Sequence, residues 1–118
     1  MKILVVDDAN LARAMLKKVL EDNGYKEVLE AANGLEAIDF YQEHHPDLVT
    51  MDITMPEMDG ITAIKKIIEI DPNANIIVCS ALGQKDVVME AISAGAKHFL
   101  VKPFESDKVL RIIKALLS

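Results

Sequence analysis

Five short apolar runs recur along the chain, and each is followed by a segment whose apolar residues repeat at helical spacing. The runs are "ILVV" at 3–6, "EVLEA" at 27–31, "LVTM" at 48–51, "NIIVCS" at 75–80 and "FLVK" at 99–102. Runs so short and so rich in Val and Ile read as strands buried on both faces. The second is more polar, as an edge strand would be.

The segments between them carry the period of a helix. Leu11, Met15, Leu16, Val19 and Leu20 form the first apolar set, which ends near Gly24 as a C-cap. Leu35, Ala37, Ile38 and Tyr41 form the second, stopped before Pro46, and Ile61, Ile64, Ile67 and Ile68 the third, stopped before Pro72. Val87, Val88, Ala91 and Ile92 run to Gly95, and Val109, Ile112, Ile113 and Leu116 follow a start near Ser106 or Asp107. Five strand–helix units in succession predict an α/β fold: a five-stranded parallel sheet, doubly wound, with helices on both faces and right-handed crossovers. No linker or low-complexity segment divides the 118 residues, so 1–118 reads as one domain, within the common size of about 100–150 residues.

Bulk properties exclude several roles. The net charge of −6 argues against nucleic acid, whose binding needs a basic patch, and against an anionic membrane. The single cysteine, Cys79, cannot form an internal disulfide, which fits a reducing, cytoplasmic setting. The N-terminal apolar run meets two acids too soon for a signal peptide, and no stretch approaches the roughly 20 apolar residues of a membrane span. A cytoplasmic monomer is expected.

In open sheets of this kind, ligands bind beyond the carboxyl ends of the strands. The first strand ends in Asp7-Asp8, the third in Asp52, the fourth in Ser80 and the fifth in Lys102-Pro103. Singly, each has an ordinary explanation, since Asp before a helix is a cap and Asp after a strand a turn residue. Together they place three carboxylates, a hydroxyl and an ammonium on one edge. Clustered carboxylates repel and call for a cation, and hard oxygen donors open to water suit Mg²⁺ better than Zn²⁺. His44-His45 reads as surface loop rather than as a metal site. An acid beside Mg²⁺ and a lysine is equipment for phosphoryl transfer. The carboxylate of Asp52 attacks in line, Lys102 and the metal offset charge, and Ser80 donates to a phosphoryl oxygen.

The segments "VVDDANLAR", "VTMDITMPEMDGI", "VCSALGQ" and "AGAKHFLVKPF" resemble the receiver domain of two-component response regulators. The resemblance covers the whole chain, and the wording around the third and fourth strands is most similar to chemotaxis receivers outside the enteric type. It implies the flavodoxin-like strand order 2-1-3-4-5. It also implies that Asp52 is phosphorylated by a histidine kinase, that Asp8 binds Mg²⁺ directly with Asp7 beside it through water, and that the backbone carbonyl of Thr54 is a further ligand. Ser80 takes the hydroxyl position that follows the phosphoryl group, Lys102 pairs with the phosphoryl oxygens, and the Lys102–Pro103 peptide is cis. Phe99 takes the switch-aromatic position, without the hydroxyl of the tyrosine found in the best-known chemotaxis receivers. Thr54 and Leu82 stand where such a relative has an amide and an acid, which implies slower self-dephosphorylation.

With no effector domain, output is expected to be protein binding, the only reaction being the chain's own phosphoryl transfer and slow dephosphorylation. The partners implied are a CheA-like histidine kinase, the flagellar motor switch protein and a phosphatase for the phosphorylated form. Lys85, Met89 and Lys108 lie on or near the candidate binding face. Two other classes fit less well. An Asp-nucleophile phosphatase of the haloacid-dehalogenase kind wants a second Asp where Thr54 stands. A flavodoxin-like cofactor binder wants a Ser/Thr/Gly loop where "DDANL" would repel phosphate. A receiver of another phosphorelay, or a scaffold that works without phosphate, stays open.

Overall fold

The computed structural model describes residues 1–53, 55 and 58–117. Strands and helices alternate as expected: β1 (Lys2–Val6), α1 (Asn10–Asp22), β2 (Glu27–Ala31), α2 (Gly34–His44), β3 (Leu48–Asp52), α3 (Gly60–Ile70), β4 (Ile76–Ser80), α4 (Lys85–Ala94), β5 (His98–Val101) and α5 (Ser106–Leu117). The strands form one parallel sheet of order β2-β1-β3-β4-β5. The half-buried β2 lies at one edge, in keeping with its polarity. The order reverses at β1, so a crevice opens beyond the carboxyl ends of β1 and β3.

Alternation along each strand divides the core between the two faces. Leu4, Val6, Val49, Met51, Ile76 and Val78 pack with Ala37, Tyr41, Ile64, Ile67, Val88 and Ala91 of α2, α3 and α4. Ile3, Val5, Leu48, Ile77, Cys79 and Leu100 pack with Leu16, Leu20, Val109, Ile112 and Ile113 of α1 and α5. The same alternation carries Asp7, Asp52 and Lys102 onto the α1/α5 side as the strands run out.

Four helix ends show how local chemistry sets the bounds. Asp59 caps α3, its carboxylate accepting from Thr62 N–H at 2.8 Å. Gly95 ends α4 at φ 129°, where a side chain would be strained. The C-cap of α1 is Asn23, one residue earlier than the sequence reading placed it, with Gly24 just beyond at φ 94°. His44 closes α2 beside the Phe40 ring, rather than lying in a loop, and His45 caps that helix at φ 45° ahead of Pro46.

The apolar stripe of α1 is narrower than its sequence suggests. Leu16 and Leu20 are buried, but Leu11 is 73% and Met15 62% exposed. Among the described residues, α1 and α5 are the helices that cover that face of the sheet, and the flank of α1 carrying Leu11 and Met15 stays open to solvent. Leu35 of α2, also read as core, is exposed. Among the described residues, no helix is long and apolar enough to cross a membrane.

Candidate functional site

The β1–α1 turn brings the first carboxylates to the crevice. Asp7 follows the last residue of β1, yet its N–H still donates to Ala31 O of β2 at 3.1 Å. Its Oδ1 accepts from Ala9 N–H at 2.9 Å, closing an Asx turn that leads into α1. Asp52 ends β3, opposite Cys79 of β4. Asp7 and Asp52 are buried and Asp8 is exposed. Each of the three carboxylates offers an oxygen, all within 4.8 Å of one another.

Lys102 completes the group from the far side. Its backbone N–H donates to Ser80 O at 2.7 Å, and the following peptide to Pro103 is cis, as the resemblance implied. Its Nζ lies 3.0 Å from Asp7 Oδ2 and 3.5 Å from Asp52 Oδ1.

Burial pushes the pKa of Asp52 up, Lys102 pulls it back, and the charges of Asp7 and Asp8 push it up again, leaving it at about 6. Burial works against the charge of Lys102. The hydrogen bond to Asp7 and the charges of Asp52 and Asp7 outweigh it, so the ammonium is held more firmly than in an ordinary lysine. Burial also pushes the Cys79 thiol up to about 12, which makes it a small hydrophobic residue and no nucleophile.

One ammonium against three carboxylates leaves excess negative charge at this edge. Two oxygens on one Mg²⁺ sit at most about 4.2 Å apart, and a bridging water extends that reach. The donor spacing here is close to that span, all donors are oxygen, and Asp8 keeps one side open to water. The residues fit a hard divalent cation.

The structure thus brings together Asp7, Asp8, Asp52 and Lys102. Ser80 is buried at the end of β4 with its hydroxyl 3.5 Å from Leu100 O, and its place in the alternation is on the α3/α4 side. Thr54 lies outside the described residues. Phe99 sits on the edge strand β5, 40% exposed, its ring 5.8 Å from that of His98. Lys85 and Met89 are exposed on α4 and Lys108 on α5.

Sequence reasoning missed Gly60. Its N–H donates to Ile53 O at 2.8 Å, and a Cβ there would run into the Asp52 carbonyl oxygen and lie 2.8 Å from Ile53 Cα. Only glycine lets α3 begin so close to the end of β3. The available signal was a glycine directly after the capping Asp59.

A doubly wound parallel sheet whose switch point carries clustered carboxylates and a lysine defines a receiver-type domain. Residues 3–114 match the family model of the response regulator receiver domain, and the chain belongs to that family. It is 58% identical over 117 residues to the chemotaxis protein CheY of Bacillus subtilis, covering 99% of this chain and 98% of that one. It is 57% identical over 112 residues to the chemotaxis protein CheY of Thermotoga maritima, covering 95% and 93%. A chain of the CheX–CheY–BeF3–Mg²⁺ complex from Borrelia burgdorferi superposes with a TM-score of 0.94 at 39% identity, covering 100% of this chain and 90% of that one.

Proposed function

We propose that the chain is a single-domain response regulator of chemotaxis: Asp52 accepts a phosphoryl group from a CheA-like histidine kinase with Mg²⁺, and the phosphorylated form binds the flagellar motor switch protein. The observation that carries this reading is the position of Asp52, a buried carboxylate at a strand end, 3.5 Å from Lys102 Nζ and grouped with Asp7 and Asp8. The chemotaxis assignment draws on its similarity to proteins of that name. A phosphatase partner draws on the CheX–CheY complex among its structural neighbours.

In this reading an ionised Asp52 oxygen attacks phosphorus, and the bond from phosphorus to the kinase imidazole nitrogen breaks, the electron pair leaving with the imidazole. Asp8, Asp52 and the Thr54 carbonyl would hold Mg²⁺, with Asp7 reaching it through water. The bound ion supplies positive charge to the phosphoryl oxygens. Lys102 exchanges its contact with Asp52 for one with the phosphoryl group. Ser80 turns from the Leu100 carbonyl toward the same group, and the space it leaves admits the exposed Phe99 ring. That rearrangement changes the face made by α4, β5 and α5, where Lys85, Met89 and Lys108 lie.

Intact mass after incubation with Mg²⁺ and acetyl phosphate tests the chemistry. The expected result is one phosphoryl adduct, dependent on Mg²⁺ and labile to base, on the parent and none on Asp52→Asn. A folded, Mg²⁺-binding parent with no adduct overturns the switch.

A further inference from the structure

Arg13 lies one turn into α1, and its guanidinium is committed in three directions. Nη1 donates to the Asp7 carbonyl oxygen at 2.6 Å, Nη2 to Asn10 Oδ1 at 2.7 Å, and Nε to Glu30 Oε1 on β2 at 3.2 Å. Lys17 Nζ takes the other Glu30 oxygen at 3.4 Å. The Arg13 side chain is only 14% exposed.

The carbonyl that Arg13 grips belongs to the peptide joining Asp7 to Asp8. The N–H of Asp7 is already held by Ala31 O, so a single dipeptide of β2, Glu30-Ala31, fixes Asp7 from both ends, through Arg13 on one side and directly on the other. The turn needs this support. The N-cap of α1 is Ala9, which offers no capping side chain, and the tie from Ala9 N–H occupies a carboxylate oxygen of Asp7 itself.

We propose that Arg13 is a positioning residue for the acidic site, holding the Asp7–Asp8 peptide in its cation-binding orientation, and that it acts as a hydrogen-bonding fork and not as a charge. This rests on the Mg²⁺-dependent reading above. The two modes of action differ in sign. A guanidinium near three carboxylates repels a further cation, so an effect of charge alone makes Mg²⁺ bind more tightly once Arg13 is removed. Loss of positioning makes it bind more weakly.

Calorimetric titration with Mg²⁺ at fixed ionic strength decides between them, with the thermal midpoint of each variant recorded alongside. Arg13→Gln removes both charge and fork, while Arg13→Lys keeps the charge but not the planar fork. Both variants are expected to raise the Mg²⁺ dissociation constant by between about 10- and 100-fold, the usual cost of losing a group that orients a metal ligand. An unchanged or lower constant in Arg13→Gln overturns the proposal, and a lowered midpoint with unchanged affinity assigns Arg13 to stability alone. Glu30→Asp, which keeps the negative charge but draws the carboxylate back from Arg13 Nε, is expected to shift affinity the same way and keeps the test decisive if Arg13→Gln does not fold. A parent that binds no Mg²⁺ sinks the receiver reading itself, a result distinct from normal parent binding with unaltered variants.

Discussion

Lys102 reaches over β4 to Asp52: the Nζ–Oδ1 distance is 3.5 Å although their strands, β5 and β3, are not neighbours in the sheet. Cys79 of β4, opposite Asp52 in register, lies beneath this span, buried and uncharged. The ion pair therefore rests on an apolar floor, and Lys102 shares its single charge between Asp52 and Asp7.

Lys102→Met removes the ammonium whose charge and hydrogen bond pull the Asp52 pKa down, so the carboxyl moves above about 6 and less of it is ionised at pH 7. Transition-state charge on the phosphoryl oxygens also loses its ammonium. The expected result is a fall of about 10²-fold or more in the rate of adduct formation with acetyl phosphate, followed by intact mass. Lys102→Arg is not expected to restore it, because a planar fork does not replace a compact point charge between two carboxylates.

The stability of the metal-free protein depends on pH through Asp52. Its folded pKa of about 6 lies above the ordinary 3.8, so the folded state binds the extra proton between these values. The stabilisation is present in full below the ordinary pKa and is lost as pH rises through about 6. Asp52→Asn escapes that loss. It is expected to be about 1–2 kcal/mol more stable than the parent at pH 7.5 in chelator, after allowance for solvent at the open edge. The difference should vanish by about pH 4. Thermal unfolding of both proteins across this range checks it, and a constant difference at all pH values removes Asp52 as the titrating group.

The same proton competes with the metal. Carboxylate ligands must be ionised to bind, so Mg²⁺ affinity is expected to weaken as pH falls through about 6, where Asp52 takes up its proton. At Mg²⁺ concentrations near 100 times the dissociation constant, the folded state gains about 2.7 kcal/mol. Chelator should reverse this gain, and Asp8→Ala should abolish it. Unfolding curves with and without Mg²⁺ at pH 5 and 7.5 provide the measurement.

Much of this site was legible because it is written at strand ends. The apolar runs of β1, β3 and β4 are buried on both faces, so their ends lie within a residue of the sequence reading, and alternation then brings Asp7, Asp52 and Lys102 to one side. Less visible were features that depend on which elements meet. The exposure of Leu11 and Met15 follows from how few helices cover that face, which periodicity does not report. Arg13 finds Glu30 across 17 residues of sequence. The hydroxyl of Ser80 turns to the β5 backbone because the pleat sets it on the face opposite Asp52.

Gly60 was hidden for the same reason, since its constraint is a close approach and not a turn. Gly60→Ala is expected to cost between about 1 and 3 kcal/mol through overpacking against the end of β3. It should also weaken Mg²⁺ binding, because the displaced backbone belongs to Asp52 and Ile53. Gly83→Ala is the contrast: φ there is +87°, but no heavy atom lies near the added carbon. Strain alone should lower its thermal midpoint and leave Mg²⁺ affinity intact. Equal effects of the two variants on affinity would separate Gly60 from the site.

Leu82 lies two residues beyond β4 and is 81% exposed, so no packing role explains an apolar side chain there. Its position follows Ser80 at the crevice, where the resemblance places an acid beside the path of the hydrolytic water. An alkyl side chain neither orients water nor accepts its proton. Leu82→Glu is therefore expected to shorten the lifetime of the phosphorylated protein by about 10-fold or more, at the low end of what a positioned general base contributes. Folding stability should change by less than about 0.5 kcal/mol, as for an exposed substitution. Decay of the phosphoryl adduct after removal of the donor measures this directly. An unchanged decay rate in Leu82→Glu would show that the slow step does not depend on this position.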